Sequence, residues 1–256
     1  MVYFAERCIR CGDCVQACPE GALELNEQVI RDPQLCHQDA NAICVDACPT
    51  GAQGVFGRWT SSPELMAEIL KDQIFFDESG GGVTISGGEP LLQADFVEAL
   101  LADCRARRIH TVLDTCGYAE SDVVDRIRGN VDLFLFDLKL MDPARHKQFT
   151  GVSNDLILAN LELLAGKGSS VVVRMPVIPG VNDDAGNLAA VSGFLSRLKL
   201  INIDLLPYHQ IAKGKYSRLG LTYRMEGLLP PSAESIEAMA ARLREDGFHV
   251  RIGGLS

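Results

Sequence analysis

The sequence contains no apolar run that is long enough to cross a membrane. Its longest apolar segments, residues 131–138 and 170–177, contain Asp or Arg and are far shorter than the roughly 20 residues of a spanning helix. The N-terminus has neither the apolar region nor the small-residue cleavage site of a signal peptide. We therefore expect a cytoplasmic protein with no membrane association.

Positive charge is also scarce. Lys and Arg total 24 against 34 Asp and Glu, which gives a net charge of -10, and no basic stripe interrupts the acidic balance. Because binding to a phosphate backbone requires such a stripe, we expect no nucleic acid partner. No P-loop or GxGxxG spacing occurs, which argues against an ordinary nucleotide-dependent barrel enzyme.

Cysteine is almost absent beyond the N-terminal fifth of the chain. Seven of the nine cysteines lie within the first 48 residues, and the two others are Cys104 and Cys116, which we interpret as small buried hydrophobes without a chemical role. This change of composition predicts a small module at residues 1–57 and a larger domain at 58–256, a division that suits a chain of 256 residues.

The cysteine block has the spacing of a bacterial ferredoxin. Cys8, Cys11, Cys14 and Cys18, with Pro19 after the last, follow the run in which three thiolates hold one 4Fe–4S cluster and the fourth binds a neighbouring cluster. A disulfide set is disfavoured in the cytoplasm, and a zinc site would need two CxxC pairs.

An imperfect second copy of this run predicts a second cluster. Ala-Cys-Pro-Glu-Gly-Ala at 17–22 recurs as Ala-Cys-Pro-Thr-Gly-Ala at 47–52. The crossed pattern gives Cys8, Cys11, Cys14 and Cys48 for cluster one, and Cys18, Cys36 and Cys44 for cluster two. Asp39 stands where the fourth cysteine of cluster two belongs, so it is a candidate ligand, with a three-iron cluster or an open coordination site as alternatives.

The rest of the chain alternates strand and helix patterns, which predicts an α/β fold with a parallel sheet. The predicted strands are Val83–Ser86, Thr111–Asp114, Leu133–Leu138, Val171–Val177, Ile203–Leu206 and His249–Ile252. Periodicity does not distinguish a barrel from a doubly wound sheet. Both place their sites at the C-terminal strand ends, where this sequence has polar clusters.

Segment 80–91, Gly-Gly-Gly-Val-Thr-Ile-Ser-Gly-Gly-Glu-Pro-Leu, resembles the glycine-rich turn of radical S-adenosylmethionine (SAM) enzymes. Further segments are similar, in the same order, to the glycyl-radical-enzyme activating enzymes, the class that includes pyruvate formate-lyase activating enzyme. These are Asp114-Thr115-Cys116-Gly117-Tyr118, Asp137-Leu138-Lys139, 141–146, 149–154, 178–183 and Leu206-Pro207-Tyr208-His209. The resemblance covers nearly the whole chain, including a two-cluster ferredoxin insertion.

The resemblance implies a partial (βα) TIM-like radical SAM barrel with a ferredoxin-like module at its N-terminus. It implies SAM binding by Gly87, Gly88, Glu89, Asp114, Asp137, Lys139, Arg174 and His209, and a monovalent cation beside Asp114, Thr115 and Asp137. The implied reaction is reductive cleavage of SAM to a 5'-deoxyadenosyl radical, which abstracts hydrogen from a backbone glycine of a partner enzyme. A flavodoxin or ferredoxin-type donor and a monomeric activase are further implications.

One family motif is missing from the sequence. The family holds its SAM-binding cluster with a CxxxCxxC loop after the first barrel strand, and no CxxxCxxC spacing occurs here. We therefore expect an N-terminally truncated form that lacks the first strand and is inactive alone. The alternative is a non-catalytic iron–sulfur electron-transfer or SAM-binding module.

Overall fold

The computed structural model describes residues 1–36 and 42–253. The strands are β1 (Val2–Tyr3), β2 (Leu23–Leu25), β3 (Val29–Arg31), β4 (Gln53–Gly54), β5 (Gly82–Ile85), β6 (His110–Thr115), β7 (Leu133–Asp137), β8 (Val171–Val177), β9 (Asn202–Pro207) and β10 (His249–Ile252). The helices are α1 (Asp13–Gln16), α2 (Ile43–Asp46), α3 (Ser62–Ile69), α4 (Gln73–Ser79), α5 (Ala94–Ala106), α6 (Ser121–Ile127), α7 (Pro143–Thr150), α8 (Asp155–Gly166), α9 (Ala185–Leu198), α10 (Ala212–Leu219) and α11 (Ala233–Glu245).

These elements form two compact units. The smaller unit comprises residues 1–59 together with 209–228, and the larger comprises 60–208 and the segment from 229 onwards. The sequence division at residue 57 does not include segment 209–228 in the first module, and it stays a prediction. In the part of the chain that the structure describes, every helix is too short or too polar to span a bilayer.

The larger unit is built on one parallel sheet of six strands in the order β5-β6-β7-β8-β9-β10. Spatial order follows chain order without a reversal. Since crossovers between parallel strands are right-handed, this order keeps the connecting helices on one face, as in a barrel and unlike a doubly wound sheet. The predicted α/β class with a parallel sheet is confirmed, and the winding that periodicity left open is of the barrel type.

The alternation of side chains along the central strands separates the core from the polar face. Leu113, Phe136 and Val173 are completely buried and pack in the main hydrophobic cluster. Because successive side chains in a strand point to opposite faces, the next residue along each strand faces away from that cluster. Those next residues are charged, as described below, so the strand ends carry charge on one face and core on the other.

Several helices begin at a residue whose side chain caps the N-terminus. Ser61 begins α3 with a capping box, in which its hydroxyl accepts from the Glu64 N–H and the Glu64 carboxylate accepts from the Ser61 N–H. Asp142 caps α7, where Pro143 occupies the first turn, and Asp184 caps α9. Each cap satisfies backbone donors that have no partner inside the helix.

The cysteine-containing part of the smaller unit contains two copies of one backbone conformation. β1 pairs antiparallel with β4, and β2 pairs antiparallel with β3. The Gly21 N–H donates to the Cys18 carbonyl, and 30 residues later the Gly51 N–H donates to the Cys48 carbonyl. Both glycines have positive φ, 61° and 64°, which a side chain would strain. The sequence echo therefore corresponds to a repeated backbone conformation.

Candidate functional site

The glycine-rich turn follows β5 at the C-terminal end of the sheet. Gly87 has a φ of 150°, a conformation that favours glycine, whereas Gly88 has an ordinary backbone conformation. A Cβ added to either residue would meet no protein atom within 4 Å. Neither strain nor packing explains the lack of a side chain at Gly88, and the space beside it is open to a ligand.

Glu89 connects this turn to the end of β6. Its Oε1 accepts hydrogen bonds from the Thr115 hydroxyl at 2.5 Å and the Leu91 N–H at 3.1 Å. Its Oε2 accepts from the N–H and the thiol of Cys116, both at 2.9 Å. Four donors thus occupy the carboxylate, so Glu89 holds the turn in place through its side chain.

Arg174 on β8 is the centre of a charged network that joins the ends of β6, β7 and β8. Asp137 and Arg174 are register partners on β7 and β8, and Arg174 Nε and Nη2 donate to Asp137 Oδ1 at 3.0 and 2.8 Å. The same Nη2 donates to Asp114 Oδ1 on β6. Ser86 Oγ donates to Asp114 Oδ2 at 3.2 Å, and Lys139 Nζ lies 4.0 Å from Asp137 Oδ2.

Burial and the neighbouring charges have opposite effects on the pKa values of this network. Burial raises the pKa of Asp137 above its usual range, and Arg174 offsets this only in part because its guanidinium is shared with Asp114. Burial lowers the pKa of Arg174, but the Asp137 and Asp114 carboxylates outweigh burial and the net direction is upward. Lys139 is a second cation beside Asp137 and also lowers its pKa, but the net direction for Asp137 stays upward.

The structure brings together most of the sequence-predicted SAM residues. Gly87, Gly88, Glu89 and the Arg174 network lie along neighbouring strand ends of the larger unit. Thr115 is buried there, with its hydroxyl directed at Glu89. His209 is exposed, follows β9 by two residues and belongs to the smaller unit.

Cys116 makes a polar contact with Glu89 that the sequence interpretation missed. Burial and the neighbouring Glu89 carboxylate raise the pKa of this thiol to about 11, so it stays protonated and donates to Glu89. Its interpretation as an inert hydrophobe is therefore wrong. Cys104, in contrast, is completely buried beside Met66 and Leu100, as interpreted.

The thiols assigned to cluster one surround a single cavity. Cys8, Cys11, Cys14 and Cys48 all line this cavity. The structure contains these cysteines as free thiols. Burial raises the pKa of Cys14, and the charges of Cys48 and Cys11 add to that effect, as expected of sulfurs in one group. The donor set of four thiols that line one cavity fits an iron–sulfur cluster.

The thiols assigned to cluster two form a second group. Burial raises the pKa of Cys44, and Cys18 and Cys36 are the next largest contributors. Asp39, the candidate fourth ligand, lies outside the described residues. Among the residues that the structure does describe, no three His, Cys, Asp or Glu side chains converge on a single-ion site. Cluster thiolates bind different iron atoms, so they stand further apart than ligands of one ion.

Comparison with known proteins assigns both units. The 4Fe-4S dicluster domain model matches residues 7–52, and the Radical SAM superfamily model matches residues 43–189, more than half of the chain. The chain is 40% identical to the trans-4-hydroxy-L-proline dehydratase activating enzyme of Clostridioides difficile, over 99% of this chain and 85% of that protein. The chain belongs to the glycyl-radical-enzyme activating enzymes of the radical SAM superfamily.

Other members of this family are similar at comparable levels. The choline trimethylamine-lyase activating enzyme of Oleidesulfovibrio alaskensis is 38% identical, over 98% of this chain and 83% of that protein. The benzylsuccinate synthase activating enzyme of Thauera aromatica is 37% identical, over 99% and 79%. The resemblance inferred from the motifs is confirmed, and the chain uses iron–sulfur clusters and SAM.

A solved structure supports the fold. A domain of pyruvate-formate lyase-activating enzyme from Bacteroides vulgatus ATCC 8482 superposes with a TM-score of 0.58 at 35% identity, over 68% of this chain and 99% of that chain. A radical SAM methyltransferase from Sphaerobacter thermophilus has the same TM-score of 0.58 at 18% identity and shares the fold.

Glu89 controls the reactivity of Cys116, and this can be tested by replacing Glu89 with Gln. A thiol with a pKa of about 11 is only about one per cent thiolate at pH 9. Removing the carboxylate charge lowers that pKa while burial remains, so alkylation of Cys116 by iodoacetamide at pH 9 should rise about tenfold. Peptide-resolved mass spectrometry across the pH range measures this rate.

Glu120→Gln is the matched control, because Glu120 is exposed and close to Cys116 in sequence. The control should alkylate as the wild type does. An unchanged Cys116 profile in Glu89→Gln would contradict the assignment of Glu89 as the partner of this thiol.

Proposed function

We propose that the chain activates a glycyl radical enzyme, with the strand ends of the larger unit binding SAM and the smaller unit supplying electrons through two clusters. The observation that carries the proposal is the Asp114–Arg174–Asp137 network beside a glycine turn with open space above it. When bound, the clusters and SAM supply one-electron reduction and radical generation.

The charges of the network suit the amino acid end of SAM. Its ammonium group complements the carboxylates of Asp114 and Asp137, which share one guanidinium. Its carboxylate complements Lys139, whose ammonium lies at the edge of the network. The main chain of Gly87 and Gly88 borders the open space without a Cβ in the way, and Glu89 keeps that turn against β6.

Three further assignments belong to the proposal. His209 is assigned to SAM from the resemblance alone. A monovalent cation beside Asp114, Thr115 and Asp137 would replace part of the Arg174 pairing. The protein acts as a monomer and receives its electrons from a flavodoxin or ferredoxin-type donor.

We assign Cys8, Cys11, Cys14 and Cys48 to cluster one, and Cys18, Cys36 and Cys44 to cluster two, with Asp39 as the candidate fourth ligand. The shared cavity supports the first set, and the ferredoxin spacing supports the second.

The proposal is tested on the chain reconstituted anaerobically with iron and sulfide. Two clusters require about eight iron atoms per chain. Cleavage of SAM also requires a SAM-binding cluster, and these 256 residues contain no CxxxCxxC loop to hold it. With a segment carrying that loop fused upstream, addition of SAM and dithionite should give 5'-deoxyadenosine, and a glycyl radical detected by electron paramagnetic resonance (EPR) when a partner enzyme is present, whereas the chain alone should give neither. Failure to bind iron and SAM would contradict the proposal.

The second candidate is a non-catalytic iron–sulfur and SAM-binding module. It is favoured by one observation, that these 256 residues contain no CxxxCxxC spacing. The same assay separates the two functions, because this module retains SAM and cycles electrons through its clusters without forming 5'-deoxyadenosine.

Gly88→Ala separates a ligand requirement from a structural one. Since the added methyl group meets no protein atom and the backbone is unstrained, the free energy of unfolding should change by less than about 0.5 kcal/mol. SAM affinity should fall at least about tenfold, because the methyl group enters the space that SAM occupies. Urea denaturation and equilibrium dialysis measure the two quantities.

Gly129→Ala is the control, because Gly129 also has open space around it but lies away from the strand ends. It should leave both stability and SAM affinity unchanged. Equal SAM affinity in Gly88→Ala and the wild type would contradict the placement of SAM over this turn.

A further inference from the structure

The two halves of the cysteine module have matching backbones, so their side-chain differences can be compared position by position. The Ala22 N–H donates to Cys18 Sγ at 3.3 Å, and the Ala52 N–H donates to Cys48 Sγ at 3.2 Å. The Cys18 and Cys48 N–H groups likewise donate to the Val15 and Val45 carbonyls. The backbone hydrogen bonds to the two cysteines therefore correspond, except that Cys48 Sγ also accepts from the Gln53 N–H at 3.5 Å.

One difference is a buried amide. Gln53 is only 5% exposed, and its Nε2 donates to Cys14 Sγ at 3.8 Å. The corresponding residue of the first copy, 30 positions earlier, is Leu23, which is also buried and packs in a hydrophobic cluster that contains both Cys14 and Cys44. Cluster one thus has a side-chain N–H donor to a ligand sulfur where cluster two has a hydrocarbon.

A second difference is a charge. Cys18 Sγ lies 3.8 Å from the Glu20 carboxylate, whereas Cys48 Sγ lies 3.7 Å from the neutral hydroxyl of Thr50. When Cys18 binds iron as a thiolate, the Glu20 carboxylate becomes a negative neighbour of cluster two. Thr50 is a hydrogen-bond donor to cluster one at the equivalent position.

Both differences act in the same direction. Reduction adds negative charge to a cluster, so an N–H or O–H donor to sulfur favours the reduced state, and a nearby carboxylate disfavours it. Burial does not separate the two sets, because apart from buried Cys14 and exposed Cys11 all of their cysteines are intermediate in exposure.

We infer that the module is an asymmetric pair, in which Gln53 and Thr50 raise the reduction potential of cluster one and Glu20 lowers that of cluster two. Cluster one is then the more readily reduced centre. This inference rests on the ligand sets of the proposed function.

The test exchanges residues between the two copies and follows a stepwise reductive titration of the reconstituted full chain by EPR. Gln53→Leu should lower the ratio of reduced to oxidised cluster one about fivefold at a fixed potential, equivalent to about 40 mV at 59 mV per tenfold. Glu20→Thr should raise the ratio of reduced to oxidised cluster two about threefold. Gln28→Leu, an exposed amide in the β2–β3 turn, should move neither step.

The inference is overturned if Gln53→Leu leaves both steps unchanged, or if it and Glu20→Thr move the same step. Should Gln53→Leu lose iron, Glu20→Thr still decides the asymmetry, because Glu20 is exposed and its replacement removes no packing. An iron content far below two clusters in the wild type would instead refute the ligand sets. Full iron content with unmoved steps refutes only the asymmetry.

Discussion

The larger unit depends on a single guanidinium that two carboxylates share. Arg174 on β8 joins Asp137 on β7 to Asp114 on β6, and this fixes the polar face of three parallel strands at their C-terminal ends. The completely buried side chains on the opposite face fix the register. Strand alternation, burial and one shared cation thus place Asp114, Asp137 and Arg174 beside an open glycine turn. We call the surface that these three residues form the charged floor.

The smaller unit follows a different principle, in which a repeated backbone carries unequal side chains. The ferredoxin spacing predicts two ligand sets that cross between the copies, and the four thiols of the first set line one cavity. The copies differ at two positions beside the ligand sulfurs, where a side chain affects the reduction potential of the cluster. Gln53 takes the place of Leu23, and Thr50 takes the place of Glu20. A module of this kind can hold two clusters and give electrons a preferred centre.

Much of the fold could be predicted from the sequence, because the strands of a parallel sheet appear as short apolar runs between helices. The predicted strands Val171–Val177 and His249–Ile252 have the bounds that the structure gives. Hydrophobic periodicity could not predict whether the sheet is of the barrel or the doubly wound type, because that depends on which strands pair. The Cys116–Glu89 bond was missed because its partners lie 27 residues apart and only the folded turn joins them. The role of His209 stays a prediction.

The most direct test of the charged floor is equilibrium dialysis of SAM with the reconstituted wild type, Arg174→Lys and Arg174→Met. Arg174→Met removes the hydrogen bonds that hold the Asp114 and Asp137 carboxylates in position for the SAM ammonium, so SAM affinity should fall at least about tenfold. Arg174→Lys keeps the charge without the planar fork, so its affinity should be intermediate. Equal affinity in all three proteins, each with native circular dichroism, would contradict the claim that this network binds SAM.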